Sequence, residues 1–246
     1  MEEIFKTTCI GLFFGTFGTT IGGIIGVISK RKSKKFLSFV LSLASGLMMS
    51  IISFDLVPEA LKISNITNVL IGTILGIIMM IICDKVVEKY FTIKDKKFNE
   101  NSLLKTGIIV SIGLAIHNFP EGLAIGTGFE ASIKLGLSLA IAICLHDIPE
   151  GISMAVPMKN GGMSKTKVIF YVILSGITTG VGAFFGAIIG SISQTVIAVC
   201  LSFAAGAMLY IVSGELIPES NKLYNGRMSA IGNMIGFIIG IFATQL

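Results

Sequence analysis

The chain has 246 residues, of which 53% are hydrophobic and 13% charged, with a formal net charge of +5. Soluble domains need about 25% charged residues to cover their surface, so this composition excludes an ordinary soluble globular protein. The basic surplus lies in short segments between long apolar runs, a pattern that sets membrane topology and argues against nucleic-acid binding.

In chain order, the apolar runs cover approximately residues 4–29, 36–60, 67–90, 103–128, 134–158, 167–192, 195–219 and 228–242. Each is near the ~20 residues that a membrane-spanning helix needs. The expectation is an all-α integral membrane protein of eight transmembrane helices, forming a single transmembrane domain over 1–246. Little chain is left for a soluble enzymatic domain. The first run is long and lacks a basic lead segment, so it reads as the first spanning helix and not as a cleaved signal.

The first loop holds Lys30, Arg31, Lys32, Lys34 and Lys35, and the third holds Lys85, Lys89, Lys94, Lys96, Lys97 and Lys105. The fifth has Lys159, Lys165 and Lys167, and the seventh has Lys222 and Arg227. Of the 19 cationic residues, Lys6, Lys62 and Lys134 alone fall on the opposite side. The positive-inside rule then puts the odd loops in the cytoplasm and both termini outside a cell membrane. Cys9, Cys83, Cys144 and Cys200 sit within apolar runs, without the spacing of a disulfide framework or a zinc knuckle. They read as packing residues, although Cys144 stands two positions before His146.

Two internal repeats organise the chain. Residues 41–65 recur as 201–225 at an offset of 160, with roughly half of the positions identical. Asp55, Pro58 and Glu59 meet Glu215, Pro218 and Glu219. The match extends back, pairing Thr19, Gly22 and Gly26 with Thr179, Gly182 and Gly186, and forward, pairing Gly72 and Gly76 with Gly232 and Gly236. Helices 1–3 therefore repeat as helices 6–8. Between them, His117-Asn118-Phe119-Pro120-Glu121-Gly122 recurs as His146-Asp147-Ile148-Pro149-Glu150-Gly151. The related helices cross in opposite directions, so both repeats are expected to be inverted. Inverted repeats around a polar site are a feature of transporters. The glycines, spaced every four residues, form faces on which helix backbones can approach closely.

Each motif puts a His and a Glu at i and i+4, on one helical face. Ionisable groups at mid-bilayer depth are costly and are functional by default. Pro120 and Pro149 each remove a backbone donor, which is expected to free the carbonyls of Ile116 and Leu145 and to kink both helices. His117, Glu121, His146 and Glu150 supply four ligands, enough for tetrahedral zinc, and their chemistry suits zinc, iron, manganese or cobalt better than magnesium or calcium. Asn118 and Asp147, one residue along, offer a second, oxygen-rich site sharing the two glutamates, or a hydrogen bond between the two helices. Asp55 and Glu59 approach the outer face, and Glu215 and Glu219 the inner one. These acids read either as staging posts for cations or as carboxylates capping helix ends near Pro58 and Pro218.

The doubled motif H-N-F-P-E-G and H-D-I-P-E-G in consecutive helices resembles the ZIP (Zrt/Irt-like) divalent-metal transporters, near their prokaryotic members. The resemblance covers essentially the whole chain. It implies a ligand set of His117, Asn118, Glu121, His146, Asp147 and Glu150. It also implies a transport unit of helices 1, 4, 5 and 6 moving against helices 2, 3, 7 and 8, often within a homodimer. The metal is then a transported substrate, with no cofactor and no catalytic residue. Two departures stand out. Thr179 falls where many members carry a glutamate on helix 6, and the segment 91–102 lacks the histidines that many members have there. The competing readings are an intramembrane zinc metalloenzyme, which needs a general base and an open coordination position, and a passive metal channel. No H-E-x-x-H motif supports the first.

Overall fold

The computed structural model describes residues 1–28, 33–94 and 102–244. Lys30, Arg31, Lys32, Lys96 and Lys97 of the basic loops lie outside the described residues, as does most of the segment 91–102. Among the described residues there are eight long helices and no strand. They are α1 (Glu2–Ile28), α2 (Lys34–Ile63), α3 (Ile66–Lys94), α4 (Ser102–Ala131), α5 (Ile133–Asn160), α6 (Lys165–Gly190), α7 (Gln194–Leu223) and α8 (Arg227–Thr244). Seven are long and apolar enough to cross a membrane. The other, α4, is 30 residues long, or about 45 Å at 1.5 Å per residue.

Local sequence fixes the helix ends. Ser33, Ser132 and Ser193 are N-caps whose hydroxyls accept hydrogen bonds from the amides of Phe36, Leu135 and Val196, satisfying donors that a helix start leaves free. After α5 the chain turns through Gly162 at φ +90°, a conformation that glycine adopts without a Cβ penalty.

Two helices depart from regular α-geometry. Within α2, residues Ile52–Leu56 form a π-helical turn, and within α7 residues Val212–Leu216 do the same. Each π-turn lies just ahead of a proline, Pro58 or Pro218. A proline ring cannot sit against the carbonyl four residues back, here that of Phe54 or Gly214, and the wider turn relieves the clash. By contrast, Pro120 lies inside α4 and Pro149 inside α5 without ending either helix. The π-helical irregularity falls at Asp55 and Glu215.

Burial has the polarity expected of a protein in lipid. Leu70, Ile74 and Ile78 of α3 face outward, as do Phe13 and Phe17 of α1, Phe184 of α6 and Phe242 of α8. Polar side chains, including Asn118, Glu121, His146 and Asp147, are wholly buried.

Glycine controls how closely the helices pack. A Cβ on Gly22 of α1 would lie 2.1 Å from the carbonyl oxygen of Ile148 on α5, and one on Gly182 of α6 would lie 2.2 Å from that of Phe119 on α4. Gly151 and Gly122 approach the carbonyls of Thr19 and Thr179 in the same way, at 2.2 and 1.9 Å. The second set behaves alike. Gly72 and Gly232 face the hydroxyls of Ser202 and Ser42, and Gly206 and Gly46 face the carbonyls of Thr73 and Asn233. Each approach has a counterpart in the other repeat. The outcome is two packed groups, α1 with α4, α5 and α6, and α2 with α3, α7 and α8, which meet chiefly where α4 crosses α7 and α2 crosses α5.

These contacts predict that Gly22→Ala and Gly182→Ala each lower the thermal unfolding midpoint of the purified protein by several degrees, since overpacking a tight contact costs about 1–3 kcal/mol. Gly113→Ala, where an added Cβ meets nothing within 4 Å, should leave the midpoint unchanged. Equal midpoints for all three would contradict the packing assignment.

Candidate metal centre

The i, i+1 and i+4 spacing in each motif brings six side chains from α4 and α5 toward one interior region. His117, Asn118 and Glu121 come from α4, and His146, Asp147 and Glu150 from α5; none is more than 2% exposed. The two helices lie against each other and are flanked by the glycine faces of α6 and α1.

His146 is the hub. Its Nε2 lies 3.0 Å from Oε1 of Glu121 and 3.5 Å from Oδ1 of Asp147. Ligand atoms of Glu121, His146 and Glu150 all lie within 4.8 Å of one another, a spacing compatible with one metal ion between them. The fourth member of the set read from the sequence, His117, turns elsewhere. Its Nε2 is 3.1 Å from Oε2 of Glu215, in the π-turn of α7. Asn118 donates its Nδ2 hydrogens to the carbonyl and hydroxyl oxygens of Ser175 on α6, at 3.0 and 3.3 Å. That orients its amide and leaves Oδ1 unpartnered. Asn118 and Asp147 do not bond to each other.

Thr179 is also buried beside this group, and its Oγ1 has no partner. Other helical threonines here, such as Thr19, Thr73 and Thr127, bond back to the carbonyl four residues earlier. For Thr179 that carbonyl belongs to Ser175 and already accepts from Asn118 and Thr178.

Among the described residues, the buried side-chain nitrogen and oxygen atoms that lack a hydrogen-bond partner belong to eight residues: His117, Asn118, Glu121, His146, Asp147, Glu150, Thr179 and Glu215. Unsatisfied buried polar groups are rare and each costs free energy. Their concentration in one place marks a site that is completed by something other than protein. Imidazole and carboxylate oxygen together form a donor set for a borderline divalent metal.

The remaining acids divide into two kinds. Asp55, in the π-turn of α2, is buried and accepts a hydrogen bond from Ser138 of α5 at 3.3 Å. Glu59 and Glu219 sit near the helix ends and pair with Lys62 and Lys222 one turn on, at 3.0 and 3.6 Å. Such exposed i,i+3 pairs are those of interfacial helix surface.

Comparison with known proteins shows the family. Residues 94–244 match the family model described as ZIP Zinc transporter. The chain is 30% identical over 240 residues to "Zinc transporter GufA" of Myxococcus xanthus, covering 94% of each. It is 32% identical to "Zinc transporter ZupT" of Akkermansia muciniphila, over 95% of this chain and 93% of that one. It is 31% identical to "Zinc transporter ZupT" of Campylobacter jejuni, over 100% and 97%. The chain belongs to the ZIP zinc transporter family. This is a family of multi-pass membrane transporters and not of enzymes, and a metal is its cargo, not its cofactor.

Within this ZIP protein the structure adds residues that the sequence reading did not single out. Ser138 and Ser175 hold Asp55 and Asn118, and Asp84 of α3 accepts a hydrogen bond from Tyr210 of α7 at 2.7 Å. Serines in an apolar helix carry no motif, and Asp84 was legible only as an isolated acid at the end of the third run.

The site geometry predicts that Asp147→Asn stabilises the metal-free protein. A buried carboxylate with neither oxygen hydrogen-bonded is a net cost that the neutral isostere reduces, by about 1–3 kcal/mol. The thermal unfolding midpoint in chelator should rise by several degrees. A fall of that size would mean that the ion pair with His146 at 3.5 Å outweighs the missing hydrogen bonds.

Proposed function

We propose that this protein carries divalent transition-metal ions, zinc foremost, across the cell membrane into the cytoplasm by alternating access. The observation that carries the reading is the buried group of eight residues with unpartnered polar atoms. The names of the relatives, all zinc transporters, support the choice of metal. The ligand chemistry extends it to iron, manganese, cobalt and cadmium.

In this reading Glu121, His146 and Glu150 hold the ion. His117 leaves Glu215 to complete a four-ligand site, which suits the tetrahedral preference of zinc. Asn118, Asp147 and Thr179 border a second, weaker position that shares the glutamates. Asp55 receives the cation from outside and Glu215 passes it inward, with Glu59 and Glu219 at the two interfaces.

The recurring glycine contacts support a pseudo-two-fold axis in the membrane plane, relating α1–α3 to α6–α8 and α4 to α5. The polar bonds break that symmetry. His117 binds Glu215, whereas the equivalent His146 binds Glu121 and the equivalent Asp55 binds Ser138. Alternating access is the exchange of this arrangement for its two-fold-related counterpart, with α1, α4, α5 and α6 moving against α2, α3, α7 and α8. The termini face outside, as the basic loops require, and a homodimer is the assembly implied by the family resemblance.

The test is zinc flux into proteoliposomes. Glu121→Ala and His146→Ala should abolish saturable uptake while the protein still inserts. Near-normal transport by either variant would remove the site assignment, and non-saturating flux in the wild type would make the protein a channel.

Stoichiometry follows from Thr179. A neutral hydroxyl adds no negative charge to offset repulsion between two neighbouring divalent ions, which is strong in a low-dielectric interior. Equilibrium zinc titration should find one tight ion per protomer and a second only at high concentration, with Thr179→Glu tightening the second. Two equally tight ions in the wild type would show that the shared carboxylates suffice.

A further inference from the structure

Tyr210 and Asp84 lie outside both sequence motifs and outside the central group. Their bond joins α7 to α3, and both side chains are half-buried. Five residues beyond Tyr210, in the π-turn, Glu215 binds His117. The carboxylates of Asp84 and Glu215 are close enough to interact electrostatically, and the charge of Glu215 also reaches Tyr210. His117 is 2% exposed at its side chain and Glu215 is 34% exposed, and Asp84 is half-buried on α3, the helix that leads into the third loop.

The repeat isolates what is special about this pair. At the offset of 160, Tyr210 and Asp84 correspond to Ser50 and Thr244. Ser50 and Thr244 bond back to carbonyls of their own helices, those of Leu47 and Ile241. Helix packing at this position is therefore met by small neutral hydroxyls. The acid and the phenol are additions made only at the Glu215 end. At the Asp55 end the Asp84 position is the neutral Thr244, and the acid is held by Ser138, with Glu59 of its own helix as the neighbouring carboxylate.

A half-buried carboxylate needs compensation. The phenol supplies a charge-assisted hydrogen bond to Oδ2 and leaves Oδ1 and the remaining lone pairs unclaimed by it. We infer that Tyr210 is a positioning residue for metal release: it fixes the Asp84 carboxylate facing Glu215, so that a divalent cation leaving His117 and Glu215 passes to a second acid before it reaches water. Tyr210 acts on the cation only through Asp84. Its hydroxyl therefore sets the rate of discharge and leaves capture at the opposite face untouched. This inference rests on the transport reading above.

The experiment uses the full-length protein in proteoliposomes, with zinc as the probe, and compares wild type, Tyr210→Phe, Asp84→Asn, Asp84→Glu and the Tyr210→Phe/Asp84→Asn double variant. Initial rates are measured against external zinc, and bound zinc is measured on the same purified samples. Tyr210→Phe should lower the maximal rate by roughly ten- to a hundredfold, the effect of one hydrogen bond to a charged group. The ratio of maximal rate to external KM, which measures capture, and the zinc bound per protomer should not change. Asp84→Asn should be at least as slow, the double variant no slower than Asp84→Asn, and Asp84→Glu partly active. A wild-type maximal rate for Tyr210→Phe overturns the inference. So does slowing that multiplies with that of Asp84→Asn, or slowing accompanied by loss of bound zinc. A wild-type protein that binds zinc and does not move it overturns the transport reading, and the inference with it.

Discussion

Carboxylates in a low-dielectric interior repel one another and lose the hydration that stabilises their charge. Glu121, Asp147 and Glu150 are brought together there, each at most 1% exposed, and imidazole is the partner in the ion pairs they form. A protein that kept this arrangement for packing alone would gain stability by replacing it with leucine. A divalent cation inverts the balance: it neutralises two charges and occupies lone pairs that no protein donor reaches. The fold holds a costly cavity of ligands in readiness, and the cost is what gives an arriving ion its binding energy.

Close packing makes that readiness possible. In lipid, helices gain little from hiding apolar side chains, so association depends on contact between backbones and on interhelical polar bonds. The glycines of α1 and α6 bring those helices onto α5 and α4 at backbone distance, which holds the motif helices from both sides. The polar connections between the two helix groups are fewer and of another kind, with His117 bound to Glu215 and Asp55 to Ser138. Bonds made by titratable ligands, and not by interlocked backbones, are the ones that can be exchanged when an ion arrives. The π-turns place both acids where regular α-helix is already interrupted, and π-bulges recur at functional sites for this reason.

Much of this was legible in the sequence. Apolar runs gave the helices to within a few residues, because a spanning helix must be apolar for most of its length. That the six motif residues would be buried on facing surfaces was legible, because a His and a Glu four apart share one helical face, with Asn118 and Asp147 one residue along. The partner of His117 was not legible, since Glu215 and His117 are 98 positions apart and only the crossing of α4 and α7 joins them. The π-turns were not legible, because a proline in the sequence marks a clash with the carbonyl four residues back without showing how the helix relieves it. Ser138, Asp84 and Tyr210 gave no pattern at all, and the bond from Asn118 to Ser175 was not legible. A single hydrogen bond between distant helices leaves no periodicity to detect.

The central claim is that the buried group around His146 receives the transported ion. Anomalous diffraction at the zinc edge, from crystals grown with zinc near one equivalent, tests it most directly. The account predicts one principal peak within bonding distance of Glu121, His146 and Glu150. A principal peak elsewhere, with that group empty, would contradict it.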